Sequence, residues 1–402
     1  MTQNGYDIVT VGGGIAASTL ATAMARKGVR VLVLERENEF KDRVRGEALV
    51  PWGVGEAQKL GIYDLLKQSC GHEQPWFDVF LGPHQLMHRD LRTTTPQSAP
   101  VCSFYHPRMQ EVLISAAAEA GADIRRGAMV TGIDPGSEPV VRFQSDGRHH
   151  EVRTRLIAVA DGRVSVARKW ADFTVEHDAP TLLLAGVLFD NVPVSEDLNY
   201  IMTNPMSYQG AYMFPQGKGR VRTYFAYPVN TPHRLQGEAD IPRFIEACVK
   251  AGVPAEHFRG VKPAGPLASF ETADTWVAHP YKNGVALLGD AAASSDPSWG
   301  NGLALSLRSV RILRDCLVAN SDWDAAGNEY AREFARVYDV IHSVTTWSRQ
   351  IFMESGPAAD ARREKAMPLI AQDPTRVPDH GISGPDLPFD KSSTRARFFG
   401  EG

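Results

Sequence analysis

The chain has 402 residues, 43% of them hydrophobic and 22% charged; it is long enough for two or three domains and too apolar for disorder. Its formal net charge of −4, from 43 basic and 47 acidic residues, excludes nucleic-acid binding driven by a basic surface. The longest strongly apolar stretch, Leu182 to Phe189, falls far short of the roughly 20 residues that span a bilayer.

The chain starts MTQNGYDIVTV, without the basic flank and long apolar core of a signal peptide. Cys70, Cys102, Cys248 and Cys316 form no CxxC pair and show no zinc-site spacing. The expectation is a cytoplasmic protein with reduced thiols and no metal. No internal repeat or low-complexity block is visible.

Residues 6–35 read strand, glycine turn, helix, strand, with both strands apolar throughout, as in a parallel sheet covered on both faces. The turn carries Gly12-x-Gly14-x-x-Ala17, and Glu35 ends the second strand, 23 residues after Gly12. Gly12 permits a tight turn, Gly14 lets the backbone approach a pyrophosphate, and Ala17 lets the helix pack on the strand. The free N–H groups of the helix start favour phosphate, and Glu35 can accept a hydrogen bond from a ribose.

A second helix is predicted from Arg108 to Glu119, stopped by Gly121. Residues 140–160 predict a hairpin about Asp146-Gly147, a strong turn signal between alternating runs. The apolar LIAVA then runs into Asp161-Gly162-x-x-Ser165-x-x-Arg168, which read alone is equally a strand-to-helix turn with an Asp cap. From Thr181 to Phe270 the texture becomes β-rich and aromatic, as in a separate sheet. The buried-strand style returns at Val285 to Leu288, followed by Gly289-Asp290, then Pro297-x-x-Gly300-Asn301-Gly302 and a helix to about Leu317. A carboxylate past a buried strand suits a hydroxyl chain, and a glycine-bracketed helix start suits an electron-rich ring edge; a capped turn explains this motif equally well when it is read alone. Trp323 to Glu354 predicts a long, interruptible helix, and the tail from Gly356 a surface wrap. These textures suggest one cofactor domain assembled from discontinuous segments, with a substrate sheet inserted.

Together the three glycine-bearing motifs, in this order, resemble the aromatic-hydroxylase class of FAD-dependent monooxygenases, the group of para-hydroxybenzoate hydroxylase, over roughly residues 5–355. Further matches are Arg45-Gly46-Glu47 with Pro51 and Gly53, Arg108 opening a helix, and GAYMFPQGKGRVRTYF from Gly210 to Phe225. The resemblance implies an α/β fold with a Rossmann-like FAD domain at 1–75, 101–180 and 271–322. It also implies a β-sheet substrate domain at 76–100 and 181–270, and a helical C-terminal region at 323–402.

It further implies that Gly12, Gly14, Ala17, Glu35 and Arg36 hold the ADP half of FAD. Arg45 and Arg108 would lie along the ribityl and pyrophosphate, with Asp290 beside them. Pro297, Gly300, Asn301 and Gly302 would face the isoalloxazine, and Asp161 would serve FAD or NAD(P)H. The activity implied is oxygenation of a small aromatic or polyketide-like molecule by dioxygen and NAD(P)H through a flavin hydroperoxide. The family often has His near the place of Ala293, and Asn and an acid near Ala304 and Ser309; these departures touch the subfamily rather than FAD binding.

Trp52, Tyr212, Phe214, Phe225 and Tyr227 are the expected substrate-pocket residues. Alternation in RVRTYFAY puts Val221, Thr223, Phe225 and Tyr227 on one face. His72, His106, Tyr208 and Tyr212 are candidate proton acceptors, and nothing ranks them. Competing readings are a flavin-dependent halogenase, disfavoured because GAYMFP stands where a WxWxIP motif is expected, and a reductase of a polyprenyl-type chain. A flavin-free relative that binds a partner protein is disfavoured by the intact nucleotide motifs.

Overall fold

The computed structural model describes residues 5–81, 84–204 and 209–401; Tyr208 lies outside them. The opening pattern folds as its periodicity predicts: β1 (Ile8–Val11), α1 (Ile15–Ala25) and β2 (Val31–Glu35). Both strands are buried along their whole length, which is why neither alternates polar with apolar residues. α2 (Pro51–Lys59) begins with proline at its first turn, where no amide hydrogen is needed. α3 (His106–Glu119) leads through Gly121, at φ +98°, into β3 (Asp123–Arg126).

The hairpin prediction holds at its turn and fails at its end. Asp146 and Gly147 both take positive φ and join Val140–Ser145 to Arg148–Arg153. Leu156–Val159 leaves that hairpin and forms β4 of the first sheet, paired in parallel with β1. Composition explains the split: RHHEVR alternates toward solvent, whereas LIAV is apolar on both faces and needs cover on both.

The aromatic middle of the chain supplies β5 (Leu182–Asp190), β6 (Leu198–Asn204), β7 (Gln209–Pro215) and β8 (Val221–Pro228). β9 (Val285–Leu287) then returns to the first sheet, and α4 (Gly302–Ala319) and α5 (Trp323–Phe352) follow. The tail is helical rather than a loose wrap, with α6 (Pro357–Gln372) and α7 (Lys391–Phe399), and it buries Phe398 and Phe399.

The first sheet runs β9-β4-β1-β2-β3, all parallel, with the short strand Tyr281–Lys282 antiparallel at one edge. The second sheet has β5-β8-β7-β6 at its centre and continues through Trp76–Leu81 to His84–Asp90. One of its faces packs Phe225, Tyr227 and Met213 with Phe244 from the helix Ile241–Lys250. The other packs Leu184, Tyr212 and Tyr224 against Val44, Trp299 and Met353 from the rest of the chain. Among the described residues no helix is long and apolar enough to cross a membrane.

Candidate active site

Parallel pairing sets the site. Val11 stands opposite both Leu34 and Val159, and Val159 opposite Leu287. The four strands β1, β2, β4 and β9 therefore end level, and the segments after them emerge on one edge. Bonds continue past the strand ends: Gly12 donates to the Leu34 carbonyl at 2.8 Å, Ala160 to Val11 at 2.9 Å, and Leu288 to Val159 at 2.8 Å. The Gly12 turn, the Asp161 turn and the Gly289-Asp290 turn are thus neighbours, although the sequence separates them by more than a hundred residues each. Ligands of open parallel sheets bind at this carboxyl edge.

In the first turn Gly12 has φ +97°, and a Cβ there would lie 2.7 Å from the Ala160 carbonyl oxygen. Gly14 caps α1 without a side-chain hydrogen bond, and a Cβ on it would meet only Gln110, at 3.7 Å. The helix start is therefore open, with its N–H groups outward. Ala17 is buried in the helix–sheet contact. Glu35 accepts the Gly13 amide at 2.7 Å and the Glu37 amide at 2.8 Å, one on each carboxylate oxygen. It is first a clasp for the glycine turn, with one lone pair per oxygen left for a ligand. Arg36 points outward beside Glu37, and Arg108 is exposed on the first turn of α3.

Asp290 follows β9, the outermost of the parallel strands at this edge. Its carboxylate makes no hydrogen bond among the described residues. Burial raises its pKa, and Arg45, Arg163, His106 and Arg168, all within electrostatic reach, oppose that rise. Arg168 is buried with Nε and Nη1 unpartnered. Asp161 accepts the amides of Val166 and Ala167 at 3.1 and 3.3 Å, so its local role is the cap. His106 is pushed down to about 4 by burial, and its Nδ1 stands 2.9 Å from the Gly46 carbonyl; it is neutral at physiological pH and donates there.

The loop carrying Arg45 is held from both sides. Val44 takes φ +51°, a conformation disfavoured for a β-branched residue, and packs against Gly186 of β5, where a Cβ would lie 2.6 Å from its methyl group. Arg222 of β8, fully buried, donates to Glu47 at 2.7 and 3.0 Å and to Asp42 at 2.7 Å. Glu47 also accepts the His106 amide at 2.9 Å. Sequence reading noted Glu47 only as part of a motif and missed its partner. The usable signal was an arginine inside an otherwise apolar strand.

Beyond Asp290 the chain forms a short turn, Pro297–Trp299, ending at Gly300 with φ +69°. Asn301 is fully buried, accepts Trp52 Nε1 at 2.9 Å and donates to the Trp299 carbonyl at 2.9 Å. Gly302 opens α4 with no side-chain cap. Ser309, where the family pattern differs, accepts the Gly289 amide at 3.1 Å and so ties α4 to the Asp290 turn.

Of the expected pocket residues, Tyr212 and Phe214 lie on the sheet face that meets Trp299, and Trp52 reaches the same turn through Asn301. Phe225 and Tyr227 do not: they stack on each other on the opposite face, under Phe244. The alternation was read correctly, but which face was inward depends on the helix Ile241–Lys250, which covers that face. His72 bonds the Glu196 carbonyl at 2.9 Å, a structural contact. A further polar centre went unread: reactive atoms of Asp178, Asp274 and His342 all lie within 4.8 Å of one another. They adjoin a cavity of about 360 Å³ lined in part by Trp276, Tyr338 and His342.

The donor set fits FAD. An open glycine turn, two helix starts without side-chain caps, a half-buried carboxylate without a hydrogen bond and unpartnered arginine nitrogens suit a ligand bearing both phosphates and hydroxyls. A family model described as FAD binding domain matches residues 5–325. The chain is 24% identical over 399 residues to 6-methylpretetramide 4-monooxygenase of Streptomyces rimosus, covering 92% of this chain and 89% of that protein. It is 26% identical over 310 residues to digeranylgeranylglycerophospholipid reductase 1 of Methanococcoides burtonii, covering 74% and 71%. Among solved structures, p-nitrophenol 4-monooxygenase of Pseudomonas putida matches with TM-score 0.78 at 20% identity, covering 94% of this chain and 95% of that one. The myxobacterial chondrochloren halogenase matches with TM-score 0.73 at 19% identity, covering 98% and 97%.

Proposed function

The chain belongs to the FAD-binding-domain family, in the class of FAD-dependent monooxygenases, and from that premise we propose that it oxygenates a small aromatic or polyketide-like molecule with dioxygen and NAD(P)H. The observation that carries this reading is the meeting of three distant turns at one sheet edge, around Asp290. Bound FAD supplies a hydride acceptor and a centre for oxygen activation.

The protein's part is binding, orientation and exclusion of water. The Gly12–Gly14 turn and the start of α1 take the pyrophosphate. Glu35 keeps that turn in shape. Arg45 and Asp290 take the phosphate and hydroxyl-bearing middle of the cofactor, and Arg36 and Arg108 extend the cationic rim. Pro297 and the backbone of Gly300, Asn301 and Gly302 face the ring, where the start of α4 stabilises negative charge. Asp161 holds its own turn and so positions Arg163 and Arg168 beside Asp290. Val44, Tyr212, Phe214 and Trp299 form an apolar roof that keeps water from the reacting centre. In this reading residues 76–100 and 181–270 form the substrate unit, and the C-terminal helices brace the ring side.

A second reading, hydride transfer to an unsaturated polyprenyl-type chain, is favoured by the likeness to the archaeal reductase. The test is to purify the protein with FAD, add NADH or NADPH in the presence of isotopically labelled dioxygen, and offer a panel of phenols, aromatic amines and polyketide aromatics. The expected result is substrate-stimulated nucleotide oxidation, matched by oxygen uptake and one labelled oxygen in the product. A protein that retains no FAD overturns the reading. Turnover under argon on an unsaturated chain supports the reductase, and strict dependence on chloride or bromide the halogenase.

A further inference from the structure

Asp178, Asp274 and His342 had no part in the motifs above, and three separate segments bring them together. The short strands Glu176–His177 and Thr275–Trp276 run antiparallel, with Glu176 opposite Trp276 and His177 opposite Thr275. The Asp178 amide extends that ladder by donating to the Asp274 carbonyl at 3.0 Å, which sets the two aspartates across from each other. His342 comes from α5, and its Nε2 stands 2.9 Å from Asp178 Oδ2. One oxygen of each carboxylate and an imidazole nitrogen lie within 4.8 Å of one another.

This arrangement is costly without a cation. Like charges opposite each other on neighbouring strands repel, and Asp274 is 1% exposed, so water does little to screen it. Asp296 is a third carboxylate within electrostatic reach of Asp274. Asp274 Oδ1 accepts the Tyr338 hydroxyl at 3.2 Å, while its Oδ2 accepts no hydrogen bond among the described residues. A buried carboxylate oxygen without a donor calls for a ligand.

The geometry suits a metal ion. Two ligands held at about 2.0–2.1 Å from one ion and at a right angle stand roughly 2.9 Å apart, which is the spacing of His342 Nε2 and Asp178 Oδ2. Two carboxylates and an imidazole make a mixed oxygen and nitrogen set, suited to zinc and its first-row neighbours. His342 also lines the cavity of about 360 Å³, together with Tyr338, Glu176 and Asp339, the last paired with Lys391. The cavity offers an entry path and room for the water that completes the coordination.

We propose that Asp178, Asp274 and His342 form a site for one divalent transition-metal ion of the zinc class, which departs from the metal-free expectation drawn from the cysteines. Bound there, the ion ties α5 to the two strands. Thr275–Trp276 in turn pairs with Ala293–Ser294, so the tie extends to the segment that follows Asp290. The ion is a brace beside the cofactor edge and takes no part in oxygenation, so the inference stands apart from the monooxygenase reading.

The test uses the FAD-loaded full chain, stripped of metal with EDTA and desalted. Zinc chloride is titrated at neutral pH by calorimetry, and thermal unfolding is followed with and without the metal. One saturable site with Kd below about 10 μM is expected, together with a rise in thermal midpoint. Asp178→Asn and His342→Gln, both at partly buried positions, should each weaken that site at least tenfold and abolish the rise. Their midpoints in EDTA check that they fold, and either variant alone suffices. His149→Gln, on the exposed hairpin, should leave the site unchanged. No saturable binding in that range overturns the inference, as does binding that neither site variant weakens, which would mark zinc held by surface histidines. The monooxygenase reading fails separately, by loss of FAD retention or of oxygen uptake.

Discussion

Glu35 illustrates how one side chain serves a site before any ligand arrives. Its two oxygens take the Gly13 and Glu37 amides, so the acid that a sequence motif assigns to a ribose also shapes the loop that receives the pyrophosphate. Gly12 is constrained as tightly, by a positive φ and by the Ala160 carbonyl. Gly12→Ala should lower FAD retention at least tenfold and reduce stability by about 1–3 kcal/mol, measured by flavin content and by thermal unfolding of the apoprotein. Asp274 provides a pH signature. Burial first, and Asp296 next, push its pKa up to about 7, against His342 and the Tyr338 hydroxyl. A carboxyl raised on folding binds more protons in the native state. Its contribution is therefore complete below the ordinary carboxylate range and is lost as pH climbs from about 4 through 7. Asp274→Asn, whose amide oxygen still accepts from Tyr338, should show a smaller drop in thermal midpoint between pH 5 and pH 8 than the wild type.

At the scale of elements, local pattern and local structure agree wherever burial is symmetric. β1, β2, β4 and β9 are apolar throughout because helices cover both faces of their sheet, and α1 is rich in alanine, serine and threonine because it packs close to that sheet and to α3 and α4. The C-terminal region was harder to read. α5 runs unbroken for 30 residues, and the tail folds back on it, with Trp347, Ile351, Phe398 and Phe399 in one cluster. Two ion pairs, Arg89 with Asp379 at 2.7 Å and Arg308 with Asp386 at 2.6 Å, pin the tail beside Trp52 and α4. Gly384 lies against Trp52, where a Cβ would stand 2.8 Å away. Phe398→Ala should therefore destabilise the whole protein by about 3–5 kcal/mol, seen as a lower urea midpoint with an unchanged slope. A tail that merely lay on the surface would tolerate the change.

At the scale of the molecule, the junction between the two sheets turns on Arg222, Glu47 and Asp42. No solvent reaches Arg222, so removing it alone strands a buried carboxylate. Arg222→Met should cost about 3–5 kcal/mol and weaken FAD retention, because Glu47 also holds the start of α3. The double variant Arg222→Met with Glu47→Leu should recover much of the stability, which denaturant unfolding of the four-member cycle would reveal. The sequence alone determined the nucleotide-binding unit, because its signal is local: glycines, a helix start and an acid at a set spacing express backbone geometry that neighbouring residues dictate. It also determined that a second, aromatic sheet interrupts that unit. Only the tertiary structure decided which sheet face looks inward, that Phe225 and Tyr227 belong to the far side, and that Arg222 joins Asp42 and Glu47 on either side of the Arg45 loop. Those facts depend on contacts between segments far apart along the chain, and no short-range periodicity encodes which of two buried faces another element will cover.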